Sequence, residues 1–89
     1  MSAETVALLR ERLTALAPLA VDIEDDSHRH AGHAGARGGG GHYRLRIVSA
    51  AFAGLNTVAR HRLVFATAGD LIPGRIHALV VQALTPEQA

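Results

Sequence analysis

With 89 residues, almost half of them apolar, the chain has material for one domain, residues 1–89, and too little for a deep enclosed active site beside its core. The absence of cysteine excludes disulfides, thiolate metal sites and a catalytic thiol, and a net charge of +1, with nine Arg and no Lys, is too balanced to predict nucleic-acid binding by itself. No basic-then-apolar leader opens the chain and no apolar run approaches the roughly 18–20 residues that span a bilayer, so a soluble, cytoplasmic protein is expected.

The first segment reads as a helix. Val6, Leu9, Leu13 and Leu16 recur at helical spacing, while Glu4, Arg10, Glu11 and Arg12 fall mostly elsewhere. Ser2 is the expected N-cap, and Pro18 marks the stop because the residue before a proline disfavours helical dihedrals. Leu19 to Asp25 then alternates: Leu19, Val21 and Ile23 on one face, Asp22 and Glu24 on the other, as in a half-buried strand. Tyr43 to Val48 repeats the pattern, with Arg44 and Arg46 outside. If the two strands pair, acidic and basic outer faces meet.

Between the strands lies Ser27 to Gly41, with six of the nine glycines and three of the six histidines. Four successive glycines, Gly38 to Gly41, are costly to order, so residues 27–41 are expected to form a flexible Gly/His-rich loop. After a connector over Ala50 to Gly54, a second helix is expected, capped by Asn56 or Thr57. Val58, Leu63, Phe65, Ala66 and Leu71 supply its expected buried side, and Arg60, His61 and Arg62 form a polar cluster near its start. Pro73 and Gly74 end the connection. Arg75 to Leu84 reads as a third strand, apolar on both faces through Ile76, Leu79, Val80 and Val81, as in an interior or helix-covered strand. Thr85 to Ala89 starts a further helical turn. One small core can absorb this apolar content, so a monomer is expected. No enzymatic constellation emerges: Ser27 and Ser49 lack a nucleophile elbow, and the glycine run lacks the Lys of a phosphate-binding loop.

The order helix, strand, long loop, strand, helix, strand carries specific residues. Glu24-Asp25-Asp26-Ser27 with His28-Arg29-His30, then His42-Tyr43-Arg44-Leu45-Arg46-Ile47-Val48-Ser49 with Phe52 and Gly54, resemble the loop opening and second strand of BolA proteins. Arg60-His61-Arg62 resembles the family's helix signature, and Ile76-His77-Ala78-Leu79, running on to Leu84-Thr85-Pro86, its last strand. The resemblance covers almost the whole chain, with a longer, more glycine-rich loop and an early end after Pro86. It implies an α+β, class II KH-like fold of order α-β-β-α-β, with the helices on one face of a three-stranded sheet. It also implies a non-enzymatic adaptor that pairs with a monothiol glutaredoxin to hold a shared [2Fe–2S] cluster in iron–sulfur trafficking or in iron or redox regulation. The alternative is a DNA-binding, stress-response transcription regulator using its KH-like face.

His77 is the leading candidate ligand. From composition alone, a partly buried histidine bonded to backbone is the simpler reading. The resemblance places His77 at the family's C-terminal cluster ligand, and a neutral imidazole can replace thiolate on one iron. The resemblance also implies a second ligand from the loop, for which His30 matches best and His28, His33 and His42 are alternatives. No cluster is expected on the chain alone: the glutaredoxin cysteine and a glutathione thiol would hold the other iron. For the DNA-binding alternative the candidate residues are Arg60, Arg62 and Arg75.

Overall fold

The computed structural model describes residues 2–27 and 41–89. Helix α1 (Ser2–Leu13) runs into a single 3-10 turn, Thr14–Leu16. Ala17 closes that turn in the left-handed region, at φ 47°, with its N–H on the Thr14 carbonyl. Strand β1 (Ala20–Asp25) follows, then β2 (Gly41–Val48), α2 (Thr57–Ala68) and β3 (Ile76–Leu84). The expected loop falls almost wholly on residues 28–40, outside the described residues, and the expected cap at Ser2 rests on a side chain that is also outside them.

The strands form one sheet in the order β1-β2-β3, antiparallel between β1 and β2 and parallel between β2 and β3. Parallel pairing needs a crossover, which α2 supplies. The alternation of β2 decides its position: Tyr43, Leu45 and Ile47 are buried, and they meet Leu9 and Leu13 of α1 and Val64 and Ala68 of α2 in one cluster with Phe52 and Ile76. Both helices therefore cover the same face. Each fully buried Leu or Phe here contributes about 1.5–3 kcal/mol by leaving water. The other face is open. On it the acidic and basic rows meet as expected, with Asp22 opposite Arg46 and Glu24 opposite Arg44.

Three expectations are corrected. Leu19 is 73% exposed and precedes β1 instead of packing with Val21 and Ile23. In α2 the buried stripe is Val64 and Ala68, continued by Leu71, with Leu63 half-buried, whereas Val58, Phe65 and Ala66 are exposed. Helical spacing selects that stripe: positions 60, 64 and 68 share a face, and Arg60 lies on it with its guanidinium reaching to the end of the sheet. Lastly, β3 is an edge strand with α2 over one face, the helix-covered alternative and not the interior one, and Val80 on its other face is 63% exposed. Its apolar-on-both-faces look comes from a register shift: Gly41 pairs with Ile76 but His42 with Ala78, so His77 is an extra residue. The bulge resets the alternation, and Ile76, Leu79 and Val81 all turn to the core.

Of the two proposed caps, Asn56 is the one used, its side chain accepting from the Ala59 N–H at 2.8 Å. The end of the chain closes in a 3-10 turn, Pro86–Gln88, with Thr85 and Gln88 forming a reciprocal capping box.

Candidate metal-ligand pair on the open sheet face

His42 is the second residue of β2 and His77 the second of β3. The strands are neighbours, and the bulge turns His77 toward the open face that His42 shares with Arg44 and Arg46. The two rings stand with centroids 5.3 Å apart and planes tilted by 45°. His77 is exposed and His42 half-buried. Neither the extra residue nor the ring contact is legible in the periodicity of either strand.

The backbone around the pair is tied down. The Asp26 N–H donates to the His42 carbonyl at 2.7 Å, and the His42 N–H to Ser27 Oγ at 3.0 Å. Ser27 is itself held by its N–H on Asp25 Oδ1, and the Gly41 N–H donates to the Arg75 carbonyl. Both described ends of the long connection, Ser27 and Gly41, are therefore fixed beside His42. Arg44 donates through Nε to Asp26 Oδ2 and lies 3.9 Å from Glu24 Oε1. The hydrogen bond to Asp26 and the charge of that carboxylate hold the Arg44 pKa above its ordinary value.

Two imidazoles on one tetrahedral metal, each with a nitrogen about 2.1 Å away, place their ring centres about 5 Å apart. The observed spacing fits that arrangement. The donor set is half of a tetrahedral one: among the described residues no three His, Asp or Glu side chains gather closely enough to hold a metal ion. A tetrahedral metal held by this pair would need its other ligands from elsewhere. His28, His30 and His33 lie outside the described residues.

The order of elements, the parallel β2–β3 pair and the placement of His77 at the start of the last strand invite comparison with known proteins. A profile of BolA-like proteins matches residues 13–88. The chain belongs to the BolA-like family. SufE-like protein 1, chloroplastic/mitochondrial, of Arabidopsis thaliana is 43% identical over 86 residues, covering 90% of this chain and 23% of that protein. BolA-like protein 1 of Homo sapiens is 40% identical over 83 residues, covering 92% of this chain and 58% of that protein. The chain thus spans under two thirds of the length of either curated relative. The solved structure of BolA1 from Arabidopsis thaliana superposes with a TM-score of 0.79 at 39% identity, over 93% of each chain. The BolA-like fold expected from the sequence, with its helices on one face of a three-stranded sheet, is the fold observed. Among the described residues no helix is long and apolar enough to cross a membrane.

The arginines of the alternative reading are scattered along this BolA-like scaffold. Arg60 donates to the Leu55 carbonyl at 2.8 Å, the Ala83 carbonyl at 3.0 Å and Gln88 Oε1 at 2.6 Å. It pins the start of α2 to the end of β3. Arg75 precedes the other end of β3 and pairs with Glu4 at 2.8 Å. The length of β3, roughly 3.3 Å per residue, separates the two. Arg62 is exposed on α2, and Asp70 pairs not with this cluster but with Arg12, at 2.9 Å. Ser49 is wholly buried, donating to the Leu16 carbonyl and accepting from the Ala51 N–H, which is a structural role.

Proposed function

We propose that this BolA-like chain is a non-enzymatic adaptor that lends two imidazoles to a [2Fe–2S] cluster shared with a monothiol glutaredoxin. The observation that carries the reading is the 5.3 Å spacing of His42 and His77 on an accessible face. His77 is the first ligand. His42 is favoured as the second by that spacing, and His30, favoured by the family pattern, is the competing assignment. The glutaredoxin cysteine and a glutathione thiol would hold the other iron. A chain without cysteine has only half of the ligands, so it loads no cluster alone.

The bound cluster supplies one-electron redox chemistry and transferable iron and sulfide. The chain's own contribution is electrostatic and steric. Neutral imidazoles replace anionic thiolates, so the shared cluster carries less negative charge and a higher potential than an all-thiolate glutaredoxin pair. Hydrogen bonds from Asp26 and to Ser27 fix the backbone of His42, and the bulge fixes the direction of His77. Ligation needs unprotonated nitrogens, so the shared cluster should be held less tightly in acid.

The test is a titration of the chain into cluster-loaded monothiol glutaredoxin, followed by visible circular dichroism. His77→Ala should abolish the mixed-complex spectrum. His42→Ala should weaken it more than His30→Ala; the reverse order would transfer the second ligand to the loop. An unchanged spectrum in the His77 variant would refute the ligand assignment, and no interaction with any such glutaredoxin would remove the adaptor. The DNA-binding alternative is less favoured, because Arg60 and Arg75 are already bonded within the chain and sequence-independent DNA affinity comes mainly from neutralised phosphates.

A further inference from the structure

His42 and His77 stand at one end of the open sheet face, and both helices lie on the other face. A cluster shared across this pair dictates where a partner stands. It is only two irons across, so the partner's thiolates lie just beyond the imidazoles. The partner's surface then comes one packing layer, about 10 Å, above the strands. It cannot meet the pair from the helix side, because the sheet itself intervenes.

A standard interface covers about 800 Å² of each partner, a disc roughly 16 Å in radius. Centred on the pair, such a disc takes in most of the open face. Arg46 is four residues along β2 from His42, about 13 Å, and Val80 is three along β3 from His77, about 10 Å. Val58 and Phe65, the exposed apolar side chains of α2, lie across the sheet and outside the disc.

Two side chains inside the disc are suited to a partner. Val80 stands mid-strand, 63% exposed, an apolar group without cover. Arg44 is occupied by Asp26, with Glu24 beside it. Arg46 differs. It is half-buried with Asp22 opposite it in register, yet among the described residues no hydrogen bond or ion pair engages its guanidinium. A recess of about 410 Å³ lies between Arg46 and Val80, walled by Asp22 and Glu24 on β1 and by Gln82 on β3. The carboxylates around it offset the guanidiniums, so long-range charge steering is weak. What the recess offers is an apolar anchor beside a set of unused donors, and interfaces draw most of their energy from such anchors and from arginine.

We propose that the cluster-bearing partner seats on the open sheet face, with Val80 as its apolar anchor and Arg46 donating to an oxygen acceptor of the partner. The proposal rests on the cluster-sharing reading: the histidine pair fixes where the partner stands, and these two side chains hold it there. Part of the affinity of the mixed complex is then supplied by residues that ligate no iron.

Visible circular dichroism of the full chain titrated into cluster-loaded monothiol glutaredoxin measures that part as the concentration for half-saturation. Arg46→Ala and Val80→Lys should each raise it about tenfold, while the saturated spectrum keeps its wild-type shape because both histidines remain. Phe65→Glu, on the helix side, should leave it unchanged. Val80→Lys alters only an exposed side chain, so it carries the test if Arg46→Ala loosens the sheet, which the far-ultraviolet spectrum monitors. Wild-type half-saturation in both Arg46→Ala and Val80→Lys would overturn the docking surface and leave cluster sharing standing, as would weakening by Phe65→Glu alone. A wild-type chain that forms no mixed cluster would overturn the cluster-sharing reading and the surface together.

Discussion

Arg60 illustrates how a charged residue in a motif can be a structural clip. Its guanidinium reaches two backbone carbonyls and the Gln88 side chain, joining α2, β3 and the closing turn. Arg60→Ala should cost about 2 kcal/mol and lower Tm by roughly 10 °C, measured by thermal unfolding. Arg60→Lys should not restore it, because an ammonium cannot match the fork of donors. Any loss of ligand binding in an Arg60 variant must therefore be separated from loss of fold. Arg44 gives a sign that can be worked out. Its pKa is raised by the Asp26 hydrogen bond and charge, so its stabilisation is complete below the ordinary guanidinium range and is lost only as pH rises above the folded value. The difference in urea midpoint between wild type and Arg44→Gln should then stay constant from about pH 6 to about pH 10. At Gly41, an added Cβ would overlap the ring of Tyr43, which is buried and cannot move aside. Gly41→Ala should displace β2 at His42, read as amide shifts at His42 and His77 together.

At the scale of elements, the two helices show which signals travel through sequence alone. Sequence alone leaves the cap of α2 at Asn56 or Thr57, because both residue types can accept from a first-turn N–H. Asn56→Ala should cost about 1 kcal/mol by chemical denaturation, while Asn56→Asp keeps the acceptor and most of the stability. On the buried side of α2, helical phase outweighs hydrophobic size. Phe65 looks like a core residue, yet Val64 and the small Ala68 share the face with Arg60 that meets the sheet. In β3 local alternation does not assign the faces. One extra residue at His77 moves the following side chains to the other face, and a bulge depends on pairing with β2, which no local pattern records.

For the whole molecule, one cluster joins both helices to the central strand, so no part of the core is independent. Unfolding should be a single cooperative transition. Tyr43, the only tyrosine in a chain without tryptophan, lies in that cluster and reports on it. Its fluorescence and the far-ultraviolet signal should lose their native values at the same urea concentration; separated transitions would contradict a single core.

The amino-acid sequence by itself determined the order of elements, the alternation of β1 and β2 and the absence of thiolate, because these depend on local periodicity and residue chemistry. It also carried enough of the loop, helix and last-strand patterns for the BolA-like resemblance. Only the tertiary structure decided that β3 is an edge, that His77 is an inserted residue beside His42, and that Arg60 is occupied by backbone carbonyls. Each of these depends on which strand lies next to which. Strand adjacency comes from burying all the apolar stripes at once, and no window of the sequence contains that information.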